Sequence, residues 1–219
     1  MDFQRARSQE QREQRRQAIL HTTAAMLTEL PVAAVSLNEL SRRVGLAKSN
    51  VLRYFESREA ILLELLDAEL REWITALGPR VADLDGDART RGDRLAEAIA
   101  TTMGERPVLC DLVSAQASVL ERNISTDVAR HHKHATADAA ASLARIITGV
   151  LPELDDDDAY WVVVVTLMMA SAAWPRSQPS QAVQAVYDTD PQIAAGQMTF
   201  AQAVGTTIQV QICGLLARR

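Results

Sequence analysis

Between Ser36 and Phe55 the chain reads Ser-Leu-Asn-Glu-Leu-Ser-Arg-Arg-Val-Gly-Leu-Ala-Lys-Ser-Asn-Val-Leu-Arg-Tyr-Phe, and the polar residues of its second half are of types that read DNA. Lys48, Ser49, Asn50, Arg53 and Tyr54 supply donors or amphipathic groups, and none is acidic. Asparagine can pair bidentately with adenine, lysine or arginine with guanine, and serine or tyrosine with phosphate. Lys48 is one of only two lysines in the chain. Ser36, Arg42 and Arg58 flank this set as further candidate contacts.

Such side chains reach a groove together only from one face of a helix held by a second helix, and the spacing provides both. Ser36 and Glu39 have the S-x-x-E pattern of a capping box, in which the serine accepts from the N–H of residue 39 and Glu39 reaches back. Leu37, Leu40 and Val44 recur at helical spacing. Gly45 follows the last turn, where a left-handed backbone is cheap only without a Cβ. Ser41 is small enough to let a second helix cross closely. That helix starts near Ala47 and turns Val51 and Phe55, at i and i+4, to its buried side. Helix, glycine-containing turn and helix is the arrangement whose second member lies in a major groove.

The segment Gly45-Leu-Ala-Lys-Ser-Asn-Val-Leu-Arg-Tyr-Phe55, with Glu56-Ser-Arg-Glu-Ala-Ile-Leu62 after it, resembles the DNA-binding domain of tetracycline-repressor (TetR) family regulators. That family usually reads Gly-Val-Ser-Lys-Gly-Thr-Leu-Tyr-x-Tyr/His-Phe, then x-Ser-Lys-Glu-x-Leu. The resemblance is specific over residues 12–66. Three departures stand out: Ala47 replaces a Ser/Thr N-cap, Leu52 replaces a tyrosine, and Arg58 stands where lysine is common. The missing cap removes a bond typically worth about 1 kcal/mol. The resemblance implies an all-α chain: a three-helix helix-turn-helix domain over residues 1–57, joined through a fourth helix to a ligand-binding and dimerisation domain over 58–219. It further implies a homodimer on double-stranded operator DNA, with the last two helices pairing with their symmetry mates in a four-helix bundle. Its regulation would be that of a repressor released by a small apolar effector. A helix-turn-helix adaptor with no effector is the alternative.

The whole-chain balance fits a split of roles. Net charge is −5, yet residues 1–58 carry ten Arg/Lys against six Asp/Glu, and the remainder carries thirteen against twenty-two. A basic head on an acidic body is expected where only the head meets phosphates. Composition, 47% hydrophobic and 23% charged, is that of a globular chain. Cys110 and Cys213 lie far apart with no metal-ligand spacing, and no signal peptide is evident, so the expectation is a reduced, cytoplasmic protein. The longest apolar run, residues 159–174, begins after four aspartates and is short for a bilayer, so no membrane partner is expected.

Other groups that could do chemistry lead nowhere specific. His131, His132 and His134 form a tempting cluster, with 131 and 134 on one helix face, but one helix rarely completes a coordination sphere; a solvated or pocket-lining cluster is the expectation. Asp155–Asp158 lacks the glycine and distal glutamate of a calcium loop, and first-turn carboxylates complement a helix dipole without an ion. There is no phosphate loop, nucleophile elbow or spaced triad, so neither enzyme nor cofactor is expected.

Periodicity predicts about nine helices and no sheet. The first spans residues 8–29 with a basic beginning (Arg5, Arg7, Arg12, Arg15, Arg16) that frays into an arm, and ends at Pro31. The fourth is capped by Ser57, runs through Leu77 and is stopped by Gly78-Pro79. A polar loop covers 80–93; helices follow at about 93–104, 107–122, 126–151, 156–174 and 199–218, with a long connection over 175–198. The body is larger than dimerisation requires. Trp73, Met103, Leu112, Gln116, Leu120, Met168, Met169 and Trp174 are therefore candidates to line an effector pocket between the fourth helix and those spanning 93–174. On the last helix, Val204, Ile208, Ile212 and Leu215 share an apolar face expected to form the dimer seam.

Overall fold

Short polar side chains start most of the helices. Each of Ser36, Ser57, Asp87, Ser125, Asp155, Ser180, Asp190 and Thr199 accepts from an otherwise orphaned N–H of the turn that follows it. The structure, a computed structural model, describes residues 2–218, with side chains from residue 9 onward. Among these residues it is all-α: α1 (Asp2–Leu27), α2 (Leu37–Val44), α3 (Lys48–Val51), α4 (Arg58–Val81), α5 (Ala88–Gly104), α6 (Pro107–Ala115), α7 (Thr126–Val150), α8 (Asp156–Arg176), α9 (Gln181–Thr189), α10 (Pro191–Ala194) and α11 (Phe200–Leu216).

The head, α1 to α3, closes over Ile19, Met26, Leu40, Val51 and Phe55, all buried. α4 runs from this cluster into the body, burying Leu62, Leu66, Leu70, Trp73 and Leu77 on the way. There it packs against α5, α6 and α7, while α8 lies on α6 and α7, and α11 lies on α5 and α8. One hydrophobic core continues from Ile19 through to Ile212.

Several boundaries differ from the periodic reading. α1 is one continuous helix from Asp2, not an arm followed by a helix; the side chains of Arg5 and Arg7 lie outside the described residues. α4 continues through Gly78-Pro79 to Val81. Proline there costs one backbone bond, but the exposed ring stays clear of the core while Leu77 and Val81 extend the buried stripe of Trp73. α5 begins five residues earlier than expected, because Asp87 caps it at the N–H of Thr90 (2.8 Å). The helix expected over 107–122 breaks after Ala115 into a π-helical turn, Gln116–Leu120. The connection over 175–198 contains α9 and α10, neither with a buried residue, so the described helices number more than nine. α8, at 21 residues, has the length and composition of a membrane span; it packs instead against α6, α7 and α11.

Candidate DNA interface and effector cavities

α2 and α3 meet at Gly45, whose φ of 71° is the left-handed conformation that favours glycine. The Gly45 N–H reaches the Arg42 carbonyl (3.3 Å) and the Leu46 N–H the Ser41 carbonyl (3.0 Å), a Schellman closure of α2. Ser41, buried at the crossing, donates its hydroxyl to Leu37. Val51 and Phe55 face inward, and Lys48, Ser49, Asn50 and Arg53 are therefore exposed together. Neither Lys48 nor Arg53 has an acidic partner among the described residues. Tyr54, half-buried, joins Arg12, Arg15 and Arg53 along a shallow basic groove beside α3.

The flanking candidates have other commitments. Ser36 accepts from the Glu39 N–H (3.2 Å), but Glu39 does not complete the expected box: its carboxylate binds Arg42 (2.6 and 2.9 Å) and Arg43 (2.9 Å). Hydrogen bonds from those two guanidiniums hold its pKa down to about 2. Arg58 turns inward, donating to the Val35 carbonyl (2.8 Å) and pairing with Glu59 (2.9 Å), so it pins α4 to the loop before α2.

The eight effector-pocket candidates are not brought together. Trp73, Met103, Leu112 and Leu120 are wholly buried, and the Trp73 indole N–H is donated to Thr102 Oγ1 (3.0 Å). The void between Trp73, Leu143, Val163 and Leu167 is about 10 Å³, room for one water molecule at most. Met168 points to solvent, Met169 lines a groove between the end of α8 and α9, and Trp174 packs edge-on against Phe200 (5.5 Å between ring centres). Gln116, delivered by the π turn, belongs to a polar chain. It donates to Glu121 Oε1 (2.8 Å) and lies 3.0 Å from His132 Nε2, while His132 Nδ1 lies 2.6 Å from Asp67 Oδ1. The carboxylate can only accept, so Nδ1 carries the proton, and in neutral His132 Nε2 accepts from Gln116.

Residues 19–65 match the family described as "Bacterial regulatory proteins, tetR family", and residues 67–219 match "Tetracyclin repressor-like, C-terminal domain". The chain belongs to the TetR family. A 60-residue stretch is 37% identical to the HTH-type transcriptional regulator EthR of Mycobacterium tuberculosis, and spans only 28% of that relative's length and 27% of this chain. In fold it is similar to the fatty acid degradation regulator FadR from Bacillus halodurans (TM-score 0.57, 11% identity, 91% of this chain and 98% of that one). It is also similar to a TetR transcriptional regulator from Rhodococcus sp. RHA1 (TM-score 0.56, 13% identity, 93% and 96%).

Within this TetR-family chain, the seam residues expected on α11 are placed elsewhere. Val204, Ile208 and Ile212 are buried inside the protomer, with Leu215 half-buried beside them. They face α5, where Gly92 and Ala100 let α11 come close. The periodicity was real but its partner is the protomer's own α5. The uncovered apolar groups of α8 and α11 are Tyr160, Trp161, Met168 and Val210, all more than half exposed.

Sequence reading also missed the ties between head and body. Arg16 on α1 donates to the Tyr54 carbonyl (3.0 Å), pairs with Glu64 on α4 and lies over the Phe55 ring (4.3 Å). Glu56 accepts from the Ser125 N–H at the start of α7 (2.7 Å), and Asp111 of α6 from the Val32 N–H (2.6 Å). No local pattern signals these bonds, because each joins residues far apart in sequence. Of the histidine cluster, His132 is buried and His131 lines one cavity with it, as a pocket-lining cluster would, and no group of metal-ligating side chains occurs among the described residues.

Proposed function

We propose that this TetR-family chain is a homodimeric repressor that grips a two-fold symmetric operator through Lys48, Ser49, Asn50, Arg53 and Tyr54. The observation that carries the reading is the outward face of α3 and the turn after it: two cations and an amide without acidic partners among the described residues, on a segment whose other side, Val51 and Phe55, is locked into the head core. Ser36 keeps a free hydroxyl donor and Arg42 an exposed guanidinium for phosphate, whereas Arg58 acts by positioning α4. Residues 1–57 work as the reading head and 58–219 as the body, with α4 as the common lever.

Dimerisation joins α8 and α11 through the stripe Trp161, Val165, Met168 and Ala172 and its neighbour Thr206, Val210, Cys213 and Ala217. Each set recurs at i, i+4, i+7 and i+11, the opposite side of each helix from the buried one. An effector would act by preferring the conformer whose heads are wrongly spaced for DNA, lowering operator affinity by its differential affinity for the two states. Release by an apolar effector seated beside Trp73 requires the void there to open. Its small volume favours the second reading, a DNA-binding adaptor with no effector in that core.

Selection of duplexes from a random pool tests the first claim. The expected product is a pseudo-palindrome with half-sites about one helical turn, roughly 34–36 Å, apart. A pool that yields no sequence preference overturns it.

A further inference from the structure

A half-open cavity of about 490 Å³ lies where the helix-turn-helix meets the body. Its wall joins Tyr54 and Phe55, which follow α3, to Leu63 and Asp67 of α4 and to Val128 and His132 of α7. Four carboxylates border it, those of Glu56, Glu64, Asp67 and Asp127, against one guanidinium, Arg16, and the imidazoles of His131 and His132. Three of the four have donors: Ser125 N–H for Glu56, Arg16 for Glu64 and Arg130 (2.8 Å) for Asp127.

Asp67 is different. Its side chain is only 4% exposed, Oδ1 is held by His132, and Oδ2 is buried with no hydrogen-bond partner. A buried carboxylate oxygen without a donor is costly and rare in folded proteins. Asp67 stands on the cavity wall. A donor arriving from the cavity would satisfy it. Burial also raises the Glu64 carboxyl from its ordinary value, with Arg16 and then His131 opposing the shift, so a further cation here would stabilise its ionised form.

The occupant must be cationic and must donate. It is not a metal ion, because no three ligating side chains converge among the described residues. The volume suits an organic molecule, and Phe55, Ala60, Leu63 and Val128 provide apolar wall for its body. We propose that this cavity binds an organic amine cation with a small aromatic body, its nitrogen donating to Asp67 and Glu64. The site is separate from the apolar core pocket considered above. Because its wall includes both head and body residues, occupancy bears on the angle of the heads; that consequence, unlike the binding itself, rests on the DNA-binding reading.

Calorimetric titration of the full-length protein without DNA tests the site, using three probes with one aromatic body: 2-phenylethylamine, 2-phenylethanol and 3-phenylpropionate. The amine is expected to bind once per protomer, the alcohol about tenfold more weakly or worse, and the carboxylate not at all. Asp67→Asn and Glu64→Gln should each weaken the amine by about tenfold, while Glu97→Gln, exposed on α5, should leave it unchanged. If Asp67→Asn does not fold, the half-buried Glu64→Gln carries the comparison. Equal affinity for amine and alcohol, wild-type affinity in the carboxylate variants that fold, or no binding of the amine at millimolar concentration overturns the proposal. Operator affinity is a separate readout. Amine binding without a change in DNA affinity removes the coupling and leaves the site, whereas apoprotein that binds no DNA counts against the reading head alone.

Discussion

Gly45 and Asn50 do different work within one motif, and their substitutions should separate cleanly. A Cβ at Gly45 would meet no atom within 4 Å, so Gly45→Ala costs only the left-handed backbone, about 1–2 kcal/mol. A lower urea midpoint with unchanged sequence preference is the expected result; unchanged stability would show that the turn does not need this conformation. Asn50→Ala should do the reverse, leaving stability alone and relaxing specificity at one base pair, at about 1–3 kcal/mol of discrimination. Lys48→Ala should weaken all duplexes and reduce the salt slope by about one unit if Lys48 meets phosphate. Mobility shifts over a salt series check both, and Asn50→Ala binding with wild-type selectivity would remove Asn50 from the readout.

At the scale of elements, what was legible in the sequence is what is local. Ser36, Gly45 and Ser57 each act within a turn or two, so spacing alone locates α2, the turn and the start of α4. The same logic makes Ala47 a visible defect. It sits extended (φ −63°, ψ 145°) at the N-cap of α3 with no side-chain bond, so Ala47→Ser should supply the missing acceptor and add about 1 kcal/mol of stability. Thermal unfolding checks this; no gain would mean that the α3 amides are already satisfied otherwise. What was not legible is which neighbour covers a stripe. Val204, Ile208 and Ile212 announce an apolar face, but only the small residues of α5 decide that the face stays inside the protomer. Gly92 makes the point: a Cβ there would lie 2.8 Å from Ile212 Cγ2. Gly92→Ala should therefore push α11 off α5 at about 1–3 kcal/mol, read as a lower unfolding midpoint. The Asp67–His132 pair and the Arg16 ties were likewise invisible, since each bridges tens of residues.

At the scale of the whole molecule, the exchange of faces on α11 changes what a dimer-breaking mutation must be. Ile208→Asp puts a charge into the protomer's own core and should unfold the body rather than yield monomers. Met168→Asp and Val210→Asp replace side chains exposed at 67% and 68%, so each protomer should keep its fold and lose its partner. Two cysteines supply an internal gauge. Cys110 is buried, and burial pushes its thiol up to about 12, so a thiol reagent near neutral pH should leave it untouched while the protein stays folded. Cys213 is exposed in the protomer, one turn from Val210 on the stripe assigned to the seam. The dimer should shield it. Light scattering should show Met168→Asp as a folded monomer with Cys213 labelling rapidly, wild type as a dimer with Cys213 labelling slowly, and Cys110 silent in both. Rapid Cys213 labelling in a wild-type dimer would place the seam elsewhere, and a second reactive thiol in Met168→Asp would reveal unfolding instead of dissociation.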